Sequence, residues 1–316
     1  MNYRDFGKTG IKVSEVGFGS WAIGGNAHGI SYGPTCDRES LQAIDVALDK
    51  GCNFFDTADV YGWGHSEELL GQKLKSKRRN VVIATKVGSD FYQGYGFQSF
   101  GREYIRFAFN KSIARLKTDY IDVYQLHNPP LEVIESEETL AVLKELKREG
   151  KIRSWGLSVA TCEEAKAVLR NTKPDSLQIP INIFASDFVQ TVLPQAGKQG
   201  CAIIAREPLA NGFLSGKYGP FQTFSSGDIR HNWPLDYINA RVQAADQLRF
   251  LALEGRRSMA QAAIKWVLNY EEVSVAIAGV KTEFQAEENF LSGDCPDFTI
   301  EEKRKVEQLQ SRKFGL

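Results

Sequence analysis

The sequence predicts an α/β protein folded as a (β/α)8 TIM barrel, and three observations carry this prediction. Eight short apolar runs, rich in β-branched residues, alternate with longer amphipathic stretches. Strands separated by helices pair in parallel, because each crossover carries a helix. The chain has 316 residues without a break in composition. This length favours closure of the eight repeats into a barrel over an open doubly wound sheet, and it predicts a single domain over residues 1–316.

The predicted elements follow in chain order. Residues 3–16, with Lys8-Thr9-Gly10 at the turn, predict a β-hairpin ahead of the first barrel strand. The eight predicted strands end near Gly19, Thr57, Lys86, His127, Ser158, Asn182, Arg206 and Gly279. Helix starts are predicted from three capping boxes, at Thr161–Glu164, Ser258–Gln261 and Thr282–Gln285. Long loops are expected at the C-terminal mouth, over residues 88–100 and 211–233.

Composition excludes several classes of protein. The 39 basic and 39 acidic residues cancel, which argues against nucleic acid or a membrane surface as a partner. Five scattered cysteines without a CxxC motif argue against disulfides and a thiolate zinc site, and the histidines lack metal-ligand spacing. The chain begins with a polar segment and has no run of 18 apolar residues. We therefore expect a cytoplasmic protein without a metal.

Four polar residues close three neighbouring predicted strands. Asp56 lies at the end of the second strand with Tyr61 just beyond it, Lys86 ends the third strand, and His127 ends the fourth. Each residue alone is more simply explained as a cap or a solvated strand end. Together they would place a carboxylate, a phenol, an ammonium and an imidazole at one mouth of the barrel. Folding alone does not account for this convergence, because buried charge is costly unless it is paired.

This combination suits proton donation to an oxygen. We expect Lys86 to lower the pKa of the Tyr61 phenol, and Asp56 to keep Lys86 charged and oriented. His127 could polarise a substrate oxygen through a hydrogen bond. Such a site would protonate the oxyanion that develops when a carbonyl accepts hydride. No side chain supplies hydride, so a nicotinamide cofactor is required.

Several motifs of the sequence are distinctive: residues 53–62 (NFFDTADVYG), His65-Ser66-Glu67 with Leu70-Gly71, and residues 208–212 (PLANG) with Gly216-Lys217-Tyr218. They resemble motifs of the aldo-keto reductase family, in particular its potassium-channel-beta-like and bacterial general branch. The resemblance extends from Gly17 to Asn289 and matches all four members of the family's catalytic tetrad: Asp56, Tyr61, Lys86 and His127. It implies a (β/α)8 barrel that binds NADP(H), with NAD(H) also possible, and reduces small-molecule aldehydes or ketones. Tyr61 would be the general acid.

The resemblance also implies a set of cofactor-binding positions. Ser158 and Gln178 match the pair that holds the nicotinamide carboxamide, and Arg206 stands where most members place an aromatic residue. A guanidinium there can stack on a ring, but its charge should disfavour the oxidised cofactor. Lys281, at a helix N-terminus, is a reasonable partner for a 2′-phosphate. The expected cofactor-binding residues are Ser20, Trp21, Asp56, Ser158, Gln178, Arg206, Pro208, Leu209, Asn211, Lys217, Arg230, Gly279, Lys281, Gln285, Glu288 and Asn289.

Aromatic residues in the predicted mouth loops suggest an apolar wall around a carbonyl substrate. They are Trp21, Phe91, Tyr92, Tyr95, Phe97 and Trp233. The expected substrate pocket consists of Trp21, Tyr61, Phe91, His127, Asn128 and Trp233.

Alternatives remain at this level. Residues 17–22 fit the loose pattern G-x-G-x-x-A, but the glycine-rich sequence that follows is typical of a loop and argues against a Rossmann helix. A cofactor-sensing regulatory subunit with little turnover is a second hypothesis, and a phosphate-handling isomerase or lyase on the same barrel is a third. Neither the physiological substrate nor the oligomeric state is determined by the sequence.

Overall fold

The computed structural model describes residues 1–94 and 96–315, so the predicted mouth aromatic Tyr95 lies outside the described residues. Eight parallel strands close into a barrel in chain order, with the last strand beside the first, which confirms the predicted fold class. Each predicted strand end falls within two residues of an observed one. The barrel strands are β3 Val16–Gly19, β4 Phe54–Asp56, β5 Val82–Val87, β6 Ile121–His127, β7 Ile152–Ser158, β8 Ser176–Pro180, β9 Ala202–Arg206 and β10 Val273–Gly279.

Helices surround this barrel; most connect successive strands, and the last two follow the final strand. They are α1 Asp37–Asp49, α2 His65–Leu74, α3 Arg102–Leu116, α4 Leu131–Ile134, α5 Glu137–Arg148, α6 Cys162–Asn171, α7 Asp187–Thr191, α8 Leu193–Gln199, α9 Leu235–Asp246, α10 Met259–Leu268, α11 Glu283–Phe290 and α12 Ile300–Ser311. The loop predicted over residues 211–233 contains short 3-10 helices, at Ala210–Ser215 and Ile229–Asn232. None of the helices in the described part of the chain is long and apolar enough to span a membrane.

Two of the three predicted capping boxes are complete. Thr161 and Ser258 accept hydrogen bonds from the backbone of Glu164 and Gln261, whose side chains bond back to the N-cap residue. At α11 only half of the box forms, because Oε1 of Gln285 accepts from the backbone N–H of Lys281 instead of Thr282. This bond ties the helix start to the loop after β10.

The predicted N-terminal hairpin is confirmed and closes one end of the barrel. Strands β1 (Tyr3–Asp5) and β2 (Lys12–Ser14) pair antiparallel. Phe6 is completely buried and contacts the ring of Phe54, near the beginning of β4, with 5.8 Å between ring centroids. With the N-terminal end of the barrel packed in this way, the open mouth lies at the C-terminal ends of the strands, where α/β barrels carry their chemistry.

Candidate active site

Lys86 lies at the centre of the predicted tetrad. Its side chain is completely buried, and its ammonium donates to Oδ1 of Asp56 at 2.5 Å and to the backbone oxygen of Thr57 at 2.8 Å. The same nitrogen lies 3.3 Å from the hydroxyl of Tyr61. The adjacent strands β4 and β5 bring these groups together, because Asp56 ends the first and Lys86 points inward near the end of the second. The structure therefore joins carboxylate, ammonium and phenol as the sequence predicts.

The pKa of Tyr61 differs from the expectation. Burial raises the pKa of the phenol above its usual value, and the opposing effect of Lys86 is smaller than that of burial. Burial also pulls the pKa of the Lys86 ammonium down, but Asp56 and the phenol hold it above its usual value. Both groups therefore keep their protons at neutral pH. The lysine makes the phenol more acidic than burial alone would leave it, but not more acidic than a tyrosine in water.

His127 completes the cluster from β6. Its ring lies edge-on to Tyr61, with 5.8 Å between the ring centroids. Burial, with contributions from Lys86 and Arg206, lowers the pKa of this imidazole well below its usual value. His127 is therefore neutral at pH 7 and can donate a hydrogen bond from only one ring nitrogen.

Ser158 and Gln178 extend the cluster across the next two strands. They are register partners on β7 and β8, and Oγ of Ser158 donates to Oε1 of Gln178 at 3.4 Å. The amide nitrogen of Gln178 donates to Oδ2 of Asp56 at 2.8 Å. Asp56 thus fixes both the lysine and the amide, which places Gln178 at the floor of the mouth.

A cavity of about 900 Å³ opens above this floor. All sixteen expected cofactor-binding residues line it, and so do Tyr61, His127, Phe91 and Asn128. Lys86 lies beneath the lining, because Asp56 and Tyr61 cover its ammonium. The cavity is of the size that ligand sites in proteins usually have.

Arg230 organises the loops over one side of the cavity. Its guanidinium pairs with Asp228 at 2.6 Å and donates to the backbone oxygen of Asn211 at 2.8 Å and the hydroxyl of Tyr218 at 2.7 Å. The Tyr32 ring lies 4.6 Å from the guanidinium carbon, and its hydroxyl donates to Oδ1 of Asn211 at 2.7 Å. The loops after β3 and β9 therefore touch each other across the cavity.

Lys281 holds the other end of the loop after β3. Its ammonium donates to the backbone oxygen of Tyr32 at 2.6 Å and lies within 3.5 Å of the carbonyl oxygens of Gly33 and Pro34. Burial lowers the pKa of this amine from its usual value. The expected anion partner is thus already hydrogen-bonded to the chain, although its side chain still lines the cavity.

Arg206 also has a partner that the sequence prediction did not assign. Its guanidinium forms an ion pair with the neighbouring Glu207 and donates to the backbone oxygen of Val159 at 3.3 Å. The cation expected at this position is therefore half of an ion pair at the cavity wall. The adjacent carboxylate in the sequence was the signal that could have revealed it.

The prediction that Trp233 belongs to the substrate pocket is not supported by its position. Trp233 is absent from the cavity lining, because its ring stacks on Phe213, with a centroid distance of 6.2 Å, and packs edge-on against Tyr237. Four other aromatic residues line the cavity although they are not among the predicted site residues: Tyr32, Trp63, Tyr218 and Phe284. Tyr32 carries no local signal, since its partner Asn211 is 179 positions away in the sequence.

Comparisons with known proteins agree with this arrangement. The family described as "Aldo/keto reductase family" matches residues 15–311. The chain is 35% identical to aldo-keto reductase YhdN of Bacillus subtilis, over 91% of this chain and 87% of the relative. It is 30% identical to a probable voltage-gated potassium channel subunit beta of Arabidopsis thaliana, over 99% and 98% of the two chains. The solved structure of aldo-keto reductase AKR11C1 from Bacillus halodurans, in its holo form, superposes with a TM-score of 0.81 at 28% identity and covers 98% of this chain and 96% of that one.

The barrel, the cluster at its C-terminal mouth and the match over residues 15–311 lead to one conclusion. The chain belongs to the aldo/keto reductase family.

Proposed function

We propose that this protein is an NADP(H)-dependent reductase that converts the carbonyl of an aldehyde, a ketone or a sugar to an alcohol. The observation that carries the proposal is the position of the Tyr61 hydroxyl, 3.3 Å from a completely buried ammonium at the floor of a 900 Å³ cavity. Membership of the aldo/keto reductase family supports an oxidoreductase that acts on small-molecule carbonyl compounds with a nicotinamide cofactor. It argues against the isomerase and lyase alternatives.

Each residue of the cluster would have a separate role in carbonyl reduction. A bound reduced nicotinamide would supply the hydride to the carbonyl carbon, which no side chain of the chain can do. Tyr61 would give its proton to the carbonyl oxygen, and Lys86 would stabilise the phenolate that remains. Asp56 keeps the lysine charged and in place. The neutral His127 is suited to donate a hydrogen bond to the same oxygen. After the reaction, Tyr61 would regain its proton from solvent.

The cavity wall formed by the loops after β9 and β10 suits an anionic dinucleotide. Four cationic side chains line it, from Arg206, Lys217, Arg230 and Lys281, against the carboxylates of Glu207 and Glu288 in the lining and of Asp228, which pairs with Arg230. Phosphate groups favour such a surplus of positive charge. Arg230 and Lys281 would favour NADP(H) over NAD(H), because both line the cavity and an additional phosphate would gain from their charges, although Asp228 offsets part of the Arg230 charge.

Replacement of Tyr61 by Phe tests the assignment. The Tyr61→Phe variant should lose at least 100-fold in NADPH-dependent carbonyl reduction, since general acid catalysis typically contributes that much or more. Its NADPH dissociation constant, followed by fluorescence, should stay within about threefold of the wild-type value. Tyr237→Phe, at an exposed ring outside the cavity, is the matched control and should leave both quantities unchanged. Unchanged turnover in Tyr61→Phe would refute the role of the phenol.

A regulatory subunit that senses the cofactor is the second candidate, because the chain is similar to a probable potassium channel subunit beta along nearly its whole length. The two functions differ in the number of catalytic cycles. A reductase oxidises many equivalents of NADPH per protein chain with a suitable carbonyl, whereas a sensor would oxidise about one equivalent and then stop. The absorbance of the reduced nicotinamide gives the number of NADPH equivalents oxidised per chain and so distinguishes the two functions. We expect multiple turnover.

A further inference from the structure

The charged residues of the cavity lining are confined to one side. Among the described residues, the lining contributed by the loops after β9 and β10 carries six charged side chains. The lining contributed by β3 to β6 and the loops after them carries only Asp56, which is paired with Lys86, and the imidazole of His127. The cavity thus has a charged half and an uncharged half, and Tyr61 lies where they meet.

The uncharged half is built from aromatic rings and amides. Trp63 and Phe91 stack with 6.0 Å between their ring centroids, and Trp21 lies 6.2 Å from Tyr61. Phe97 lines the same half and is 54% exposed. The amide of Gln98 donates to the backbone oxygen of Asn128 at 3.4 Å. Flat apolar walls with a few amides favour an uncharged ring or chain.

Three cations beside this half each have a counterion. Arg206 forms an ion pair with Glu207, and Lys86 is buried under Tyr61 with Asp56 as its counterion. Arg115 lies 6.0 Å from the centre of the Phe91 ring and is absent from the described cavity lining, and Glu67 accepts from it at 2.7 Å. None of the three offers a free positive charge to a substrate. A carboxylate or phosphate in the uncharged half would therefore lose its hydration without gaining a partner.

We infer that the carbonyl substrate is uncharged, and that the enzyme discriminates against carboxylated and phosphorylated carbonyl compounds. This inference rests on the proposed function and adds the substrate class to it. Discrimination follows from the uncharged half alone, since the anionic cofactor would occupy the half that carries the cations.

A matched pair of aldehydes tests the inference. 4-Formylbenzamide and 4-formylbenzoate have the same shape and differ by one negative charge, so their kcat/KM values with NADPH report the cost of that charge. The wild-type enzyme should prefer the amide by at least tenfold. Phe97→Lys places an unpaired cation in the uncharged half and should narrow the preference at least fivefold. Phe221→Lys is the control, because Phe221 is 76% exposed and is not part of the cavity lining.

The two aldehydes also differ in the intrinsic reactivity of their carbonyl groups. This difference is the same in every variant, so a change in preference between variants reports the effect of charge. If the wild-type enzyme reduces neither aldehyde but reduces another carbonyl, the same preference is expected when the two compounds act as competitive inhibitors. Equal kcat/KM values, or equal inhibition, would overturn the inference and leave the reductase intact. A preference that Phe97→Lys and Phe221→Lys change equally would also overturn it. Failure to reduce any carbonyl would overturn the proposed function itself.

Discussion

The ammonium of Lys86 lies between Oδ1 of Asp56, at 2.5 Å, and the hydroxyl of Tyr61, at 3.3 Å, and it is completely buried. A buried ammonium requires a counterion, because desolvation of an isolated charge costs several kcal/mol. Asp56 is that counterion. The phenol lies on the side of the lysine that faces the cavity, where a phenolate would be stabilised as it forms.

Asp56→Asn should damage both stability and activity. The substitution leaves Lys86 buried without a counterion, which typically costs about 3–5 kcal/mol in the free energy of unfolding. It should also lower carbonyl reduction at least 100-fold, because the lysine then loses the interaction that keeps it charged. Asp5→Asn removes the carboxylate of an exposed pair with Lys12 and should change the free energy of unfolding by less than about 1 kcal/mol. Denaturant unfolding and steady-state rates measure both effects, and equal destabilisation by the two substitutions would contradict the prediction.

Substitutions of Arg206 and of Glu207 should shift the preference for reduced over oxidised cofactor in opposite directions. The oxidised nicotinamide carries a positive charge, so a nearby guanidinium disfavours its binding and a nearby carboxylate favours it. Glu207→Gln removes the carboxylate that pairs with the guanidinium, so it should widen the preference for NADPH over NADP⁺. Arg206→Tyr removes the guanidinium, so it should narrow the preference for NADPH over NADP⁺. Titration of both cofactors gives the ratio, with shifts of about tenfold expected, and shifts in the same direction would exclude the electrostatic explanation.

Asp59 should make the stability of the protein depend on pH. Its carboxyl group is completely buried, and both oxygens lack a hydrogen-bond partner among the described residues. Burial, reinforced by Glu67, raises the pKa of this carboxyl well above its usual value. The folded state then holds a proton that the unfolded state releases, so the free energy of unfolding falls as pH rises from about 4 towards the folded pKa.

Asp59→Asn removes this dependence. As pH rises over that range, the free energy of unfolding of the variant should increase relative to that of the wild type, by up to about 1.4 kcal/mol per pH unit. Urea unfolding at pH 4.5, 5.5 and 6.5 measures it. A difference that stays constant, or that shrinks as pH rises, would show that Asp59 is ionised in the folded protein.

Gly62→Ala should displace Tyr61 and lower the activity. Gly62 has φ +60°, and an added Cβ would lie 2.2 Å from the backbone oxygen of Gly24, so the turn that follows Tyr61 must move. A displacement of about 1 Å at a reacting group can cost about 100-fold in rate. Gly10→Ala has a similar φ of +75° but open space around its Cβ, so it should lose about 1 kcal/mol of stability and keep its activity. Equal kcat/KM in the two variants would contradict the steric argument.

The strand ends and the tetrad could be predicted from the sequence because they depend on local pattern. Alternating apolar runs and helices dictate parallel strands, and parallel strands present their C-terminal residues at one mouth. Asp56, Lys86 and His127 therefore come together as soon as the barrel closes in chain order. The half-formed cap at Thr282 shows the limit of this reasoning, since Gln285 has two backbone donors within reach and only the folded loop decides between them.

The sequence by itself determined the barrel, the order of its strands and the polar residues that end them. Only the tertiary structure decided that Tyr32 contacts Asn211 and that Trp233 packs on Phe213 outside the cavity. It also decided that burial outweighs Lys86 in setting the pKa of Tyr61. The physical reason is the same in each case. Contacts between distant loops and the loss of hydration arise only when the chain has closed, whereas the direction of a strand follows from its neighbours in the sequence.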